Sequence, residues 1–234
     1  MEPTTPRTLS VLDLTREQPN PPAFDPPHHK ILRGKTRRDD RVALRDPFSV
    51  DGIVVHQTGT PYGVTAAAVK AAKGDRALAK HRRALGVAAH MTAFDTGVAV
   101  LAHPLPWYVY HANSLNARSL GLEIEGLFPQ NWGAKDFFSD KLEAAARDAL
   151  TYLVLQGRML GMPIQYVWAH RQSSLTRDDD PGEEIWRKLV LGFAVPELGL
   201  LTLPESVHGG RALPPAWRQP YATALSDPYK GVAP

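Results

Sequence analysis

The sequence predicts an α/β fold, a central mixed β-sheet flanked by helices, and three observations carry the prediction. Short apolar or β-branched runs suited to strands recur along the chain, at residues 52–56, 88–94, 98–102, 120–125 and 164–170. Helix-like stretches separate several of them, and alternation of the two kinds of element is the mark of the α/β class. The 21 prolines are also uneven: eight fall in residues 1–50, seven in 196–234, and six in the 145 residues between. Proline fixes φ and removes a backbone donor, so the Pro-poor middle is where regular structure belongs.

The elements follow in order. Gly52-Ile53-Val54-Val55-His56 is a β-branched run, hence a buried strand, and it ends in a histidine. Residues 65–85, rich in Ala, Lys and Arg, read as helix with a break near Gly74. Residues 88–94 and 98–102 read as two strands joined at Asp95-Thr96-Gly97, a hairpin signal. In 120–125, Leu120, Leu122 and Ile124 alternate with Gly121, Glu123 and Glu125, so one face of that strand bears carboxylates. Residues 139–160 are the clearest helix: Ser139 can cap it, and Leu142, Ala145, Ala146, Ala149 and Leu153 share a face. Residues 164–170 are a second strand ending in a histidine, and a last helix starts at 183–190, after Pro181-Gly182. The domain plan is therefore a Pro-rich arm over 1–49, a domain over 50–195 and a Pro-rich tail over 196–234, both ends read as extended wrapping segments or partly disordered ones.

Composition narrows the function classes. A chain of 234 residues can bury a sizeable core. With 27 Lys and Arg against 24 Asp and Glu, the net charge of +3 is too balanced for a polybasic nucleic-acid binder. No stretch approaches the roughly 18 consecutive apolar residues of a membrane span. Residues 1–20 lack the apolar core of a secretory signal, so the chain reads as made in the cytoplasm. With no cysteine, a disulfide framework, a Cys-based zinc finger and a thiol nucleophile are excluded. A metal site must then be built from carboxylates and the nine histidines.

Two of those histidines, His56 and His170, end apolar strands, where α/β folds place their sites. Asp180 follows ten residues after His170, in Arg177-Asp178-Asp179-Asp180-Pro181-Gly182. Two imidazoles and one carboxylate with an open fourth position are the ligand set of a catalytic zinc. Glu123, on another strand, is the candidate to handle protons. His90 reads as a hydrogen-bonded core or wall residue, His103 as a solvated or groove-edge residue, and the His28-His29 pair as solvated. Trp107, Tyr108 and Tyr110 suit sugar stacking and core packing equally.

Six motifs occur in order: His56-Gln57-Thr58, Val87-Ala88-Ala89-His90, Tyr110-His111-Ala112-Asn113, residues 119–126 (Ser-Leu-Gly-Leu-Glu-Ile-Glu-Gly), Ala169-His170-Arg171-Gln172 and Asp180-Pro181-Gly182. Over about residues 50–195 the chain resembles the type 2 N-acetylmuramoyl-L-alanine amidase family, which includes phage lysozyme-like amidases, muropeptide amidases and peptidoglycan recognition proteins. The resemblance implies a zinc site in a groove at the sheet edge, with His56, His170 and Asp180 as ligands. It implies that Glu123 acts on the attacking water and that His111 and Asn113 line the substrate groove. Each ligand histidine is expected to donate its second ring N–H to a carbonyl or carboxylate.

One position departs from the pattern. Muropeptide amidases ending in Asp-Pro-Gly usually carry a Lys two residues before the Asp, and here that residue is Asp178. Arg177 is the neighbour that can supply the positive charge, with a different geometry. The implied activity is hydrolysis of the amide between N-acetylmuramic acid and L-Ala in peptidoglycan or muropeptides. Asp178 motivates the alternative, a non-catalytic peptidoglycan-binding domain. The implied site of action is the cytoplasm, or the cell wall after lysis or delivery by a secretion system, with the Pro-rich arms docking a carrier or virion partner.

Overall fold

The computed structural model describes residues 8–17, 45–128, 138–207 and 209–219; His28, His29 and His208 lie outside them. Six strands form one sheet: β1 (Val11–Asp13), β2 (Gly52–Gln57), β3 (Met91–Ala93), β4 (Ala99–Leu101), β5 (Ser119–Ile124) and β6 (Tyr166–Ala169). Their order is β1-β4-β3-β5-β2-β6, with β3 and β4 antiparallel and the other neighbours parallel, so the sheet is mixed as expected. The register sets His56 opposite Glu123 and Val55 opposite Ala169. β2, β5 and β6 therefore deliver their carboxyl ends, and His170 just beyond, to one edge.

The hairpin strands are shorter than the apolar runs that predict them. The carbonyl of His90 accepts the amides of both Ala102 and His103, which ends the regular ladder before Met91. The helical stretch at 65–85 divides into α1 (Ala66–Ala71), α2 (Arg76–His81) and a 3-10 turn, Arg82–Gly86. Lys73 and Gly74 at the break both have positive φ, 54° and 91°. Thr65 and Asp75 cap the two helices by accepting the amides of Ala68 and Leu78.

α3 (Asp140–Met159) is capped by Ser139 and buries the face read from its periodicity, together with Leu150 and Val154. It packs on β3, β4 and β5 to form the main core. A smaller cluster of Leu14, Ala84, Phe94, Val100 and Ala102 lies apart from that core, with Leu78 of α2 packed against it. The last helix is longer than expected. It is α-helical at Glu183–Ile185, π-helical over Trp186–Ala194 and α-helical again at Val195–Leu198, closing on Gly199 at φ +65°. Pro196 follows directly on the π-helical stretch, in the first turn of the last piece.

The described parts of both Pro-rich ends pack on this body. β1 adds an edge strand beside β4. Leu200, Leu213 and Trp217 are buried in the main core, and Leu201 bridges to Tyr166. Among the described residues no helix is long and apolar enough to cross a membrane.

Candidate metal centre

His56 is placed by β2 and His170 by the 3-10 turn (His170–Ser173) that follows β6. Asp180 comes from the loop before the last helix, and backbone contacts fix it. Its carbonyl accepts the Arg171 amide at 3.1 Å, and its Oδ1 accepts the Gln57 amide at 2.9 Å. The other carboxylate oxygen, Oδ2, lies 2.8 Å from His170 Nδ1 and 3.9 Å from His56 Nδ1. The two Nδ1 atoms are 3.0 Å apart. One donor atom from each residue thus falls within 4.8 Å of the others, at 1%, 8% and 7% exposure for His56, His170 and Asp180.

Two residues lock the loop. A Cβ at Gly182 would overlap the carbonyl oxygen of Phe128, and its φ of +99° suits glycine, so the turn after Asp180 can press onto Phe128. Gln57 accepts the Phe128 amide on Oε1 and donates its Nε2 to Asp179 O at 2.7 Å. Gln57 stands in the motif read from the sequence, but nothing there assigns its amide a task.

Burial, reinforced by His170 and opposed by Asp180, pushes the His56 imidazole down to about 4. Burial works against charge on Asp180, yet the hydrogen-bonded His170 ring, with His56 close by, prevails and holds it at about 2. For Glu123, burial first and the charge of Asp180 second raise the carboxyl well above the usual range, with Arg177 opposing. Its Oε2 is buried with no hydrogen-bond partner among the described residues. Two carboxyl groups with oppositely shifted affinities, beside a neutral imidazole, can bind a cation and exchange a proton.

The remaining sequence-predicted residues fall in different places. Arg177 is exposed and lines a cleft of about 380 Å³ together with Gln57, Leu127, Asp178, Asp179 and Asp180. Asp178 Oδ1 lies 2.6 Å from Arg211 Nε. His111 sits behind His56, buried, with its Nδ1 3.0 Å from His56 Nε2. The expected carbonyl or carboxylate partner of His56 is therefore an imidazole. Asn113, at φ +50°, donates its amide to Ser173 O at 3.1 Å and so ties its own turn to the turn that carries His170. Neither His111 nor Asn113 lines that cleft.

His90 is a hydrogen-bonded core residue, one of the two placements expected, accepting the Gly121 amide on Nδ1 with its Nε2 3.1 Å from Trp107 O. His103 is not at a groove edge: it is fully buried, 2.9 Å from Val87 O, because it packs under the Val87 loop. Arg171 and Gln172 tie this region to the C-terminal tail. Gln172 Nε2 donates to Leu203 O and Glu205 O, and Arg171 Nε donates to Ala212 O.

A mixed α/β sheet that gathers two imidazoles and a carboxylate, with the carboxylate also lining a cleft, defines a protein with a candidate metal-binding site. The family model described as N-acetylmuramoyl-L-alanine amidase (Amidase_2) matches residues 46–183, and the chain belongs to that family. Among solved structures it is similar to the N-acetylmuramoyl-L-alanine amidase LysC from Clostridium intestinale URNW, at 16% identity, TM-score 0.47, over 84% of this chain and 100% of that one. It is similar to Drosophila peptidoglycan recognition protein SD at 13% identity, TM-score 0.48, over 86% and 100%. A mutant of Drosophila PGRP-LB in complex with tracheal cytotoxin matches at 14% identity, TM-score 0.45, over 71% and 92%. No curated protein sequence matches significantly.

Proposed function

We propose that the chain is a zinc-dependent amidase that hydrolyses the amide between the lactyl group of N-acetylmuramic acid and the L-Ala of the stem peptide, in peptidoglycan or its fragments. The observation that carries this reading is the convergence of His56 Nδ1, His170 Nδ1 and Asp180 Oδ2, with Glu123, opposite His56, keeping a buried Oε2 that has no hydrogen-bond partner among the described residues. The donor chemistry suits zinc: two imidazole nitrogens, a carboxylate held ionised, and three protein ligands, which leave a position for substrate. Bound there, zinc would supply Lewis acidity that polarises the scissile carbonyl and makes water acidic near neutral pH.

The rest is work for the chain itself. The backbone amide of Gln57 holds Asp180 so that Oδ2 faces the two histidines. Glu123, opposite His56 on the neighbouring strand, takes the proton of the attacking water and returns it to the leaving amine. Its raised affinity for protons suits a group that must both accept and donate. Arg177, at the cleft mouth, shares the negative charge that develops on the carbonyl oxygen. Asp178, at the family's usual Lys position, is met by Arg211.

Asp178 also favours a second reading, binding of peptidoglycan without turnover. One experiment separates the two: metal analysis of the purified protein, with identification of the products released from peptidoglycan by wild type and His170→Ala. One zinc per chain and intact stem peptides from wild type alone are expected. Cut glycan strands or cut cross-links would overturn the reaction assigned, and equal background release from both proteins would leave binding alone.

A further inference from the structure

The second nitrogen of His56 begins a chain of hydrogen bonds whose direction is set at its far end. His56 turns Nδ1 toward His170 and Asp180 and turns Nε2 toward His111 Nδ1, 3.0 Å away. His111 Nε2 in turn lies 3.2 Å from the carbonyl oxygen of Ser119. A carbonyl can only accept, so the single proton of a neutral His111 belongs on Nε2, and Nδ1 is left as an acceptor. That acceptor draws the proton of His56 to its own Nε2 and leaves the His56 Nδ1 lone pair facing the ligand cluster. The Ser119 hydroxyl, 3.4 Å from His111 Nε2, does not compete, because it donates its proton to Leu115 O at 2.7 Å.

The opposite assignment is costly. It would set a His111 lone pair against the Ser119 carbonyl in a buried site and place the His56 proton among the ligand atoms.

The ring of His111 is held on all sides. A Cβ on Gly121 would stand 2.9 Å from its Cγ and Nδ1, so that strand position is glycine because the imidazole occupies the space. The amides of His111 and Ala112 both donate to Asn116 Oδ1, at 2.8 and 2.5 Å. The buried Arg45 guanidinium donates to the carbonyls of Asn116 and Ser119, which fixes the segment that orients the ring.

We propose that His111 is a positioning residue that sets the tautomer of His56, so that His56 Nδ1 is a ready ligand before any metal arrives. The inference rests on the zinc reading above and deepens it. The partner of His56 is a neutral ring, so Asp180 remains the one anion of the cluster.

Two measurements test it. In metal-free protein labelled with 15N-histidine, two-dimensional NMR should show both His56 and His111 protonated on Nε2. A proton on His56 Nδ1, or an even mixture, would overturn the proposal, and this result stands even if the wild type binds no zinc, an outcome that sinks only the amidase reading. In chelator competition, His111→Phe should weaken zinc binding about 10–100-fold. His111→Asn, whose Oδ1 can accept in place of Nδ1, should restore most of that loss. Folded His111→Phe protein that binds zinc as tightly as wild type would refute the role.

Discussion

Lowering the pH of the metal-free protein should unfold it steeply, and the buried histidines set the size of the effect. Burial is the leading cause in each case. It pushes His56 and His103 down to about 4, and it pushes His90 and His111 well below their ordinary value, with Arg45 adding to the shift at His90 and His56 at His111. In the unfolded chain all four take a proton near pH 6.5. Because the folded affinities are depressed, the stability they contribute is complete above about 6.5 and is lost as the pH falls toward the folded values. Glu123 has the opposite sign: its folded carboxyl keeps a proton that the unfolded one has released, so across this window it offsets one imidazole.

Four imidazoles less one carboxyl leave a difference of about three protons, or about 4 kcal/mol per pH unit, and His81, lowered first by burial, adds in the same direction. Between pH 6 and 4.5 that amounts to about 6 kcal/mol, against a whole stability of roughly 5–15 kcal/mol for a typical domain. Urea unfolding followed by tryptophan fluorescence across this range, on chelator-stripped protein, measures the slope directly. A slope below one proton's worth, about 1.4 kcal/mol per pH unit, would refute the reasoning. Saturating zinc should move the fall to lower pH, because binding requires deprotonated ligands and stabilises only the folded state.

Three further outcomes are expected. Glu123→Gln should lower kcat about 10²–10⁴-fold while zinc content stays unchanged, measured by stem-peptide release and metal analysis. Arg177→Ala should cost about 10²–10³ in kcat, with Arg177→Lys recovering part of it; full activity in the alanine variant would remove Arg177 from the mechanism. Trp217→Ala should destabilise the protein by about 3–5 kcal/mol in urea unfolding, since the indole is fully buried and packs under the Arg171 guanidinium.

The parts of the fold that could be read from the sequence are those in which one pattern repeats. β2 and β5 announce themselves through branched and alternating residues, and α3 through a capped, one-sided apolar face. The positions of His56, next to last in β2, and of His170, first in the turn after β6, follow from those two strands. The register of Asp180 comes from the resemblance and not from spacing, because its loop has no period. β1 is hidden for another reason: three residues are too few to show alternation. The π-helical stretch keeps the apolar spacing of an ordinary helix, so its widened turns leave no trace in the residue types. Gln57 and His111 act through contacts 55 to 123 residues away in the chain, and single polar pairs at that range carry no local signal.

The tail shows how composition can be right about regularity and silent about order. A Pro-rich segment is short of backbone donors but keeps every carbonyl. Leu203, Glu205 and Ala212 present such carbonyls, and the donors that meet them are the side chains of Gln172 and Arg171, the two residues after His170. The traffic also runs the other way: the amides of Val207 and Arg211 bond the carbonyls of Gln172 and Arg171 at 2.6 and 2.7 Å. The turn that starts at His170 is thus clamped between β6 and the tail. Arg171 extends the clamp to the Asp180 loop, with its backbone amide on Asp180 O and its guanidinium on Asp178 O. Two of the three candidate ligands are consequently oriented by residues beyond 198, and the unit that holds the site includes the segment whose prolines argue against helix and strand.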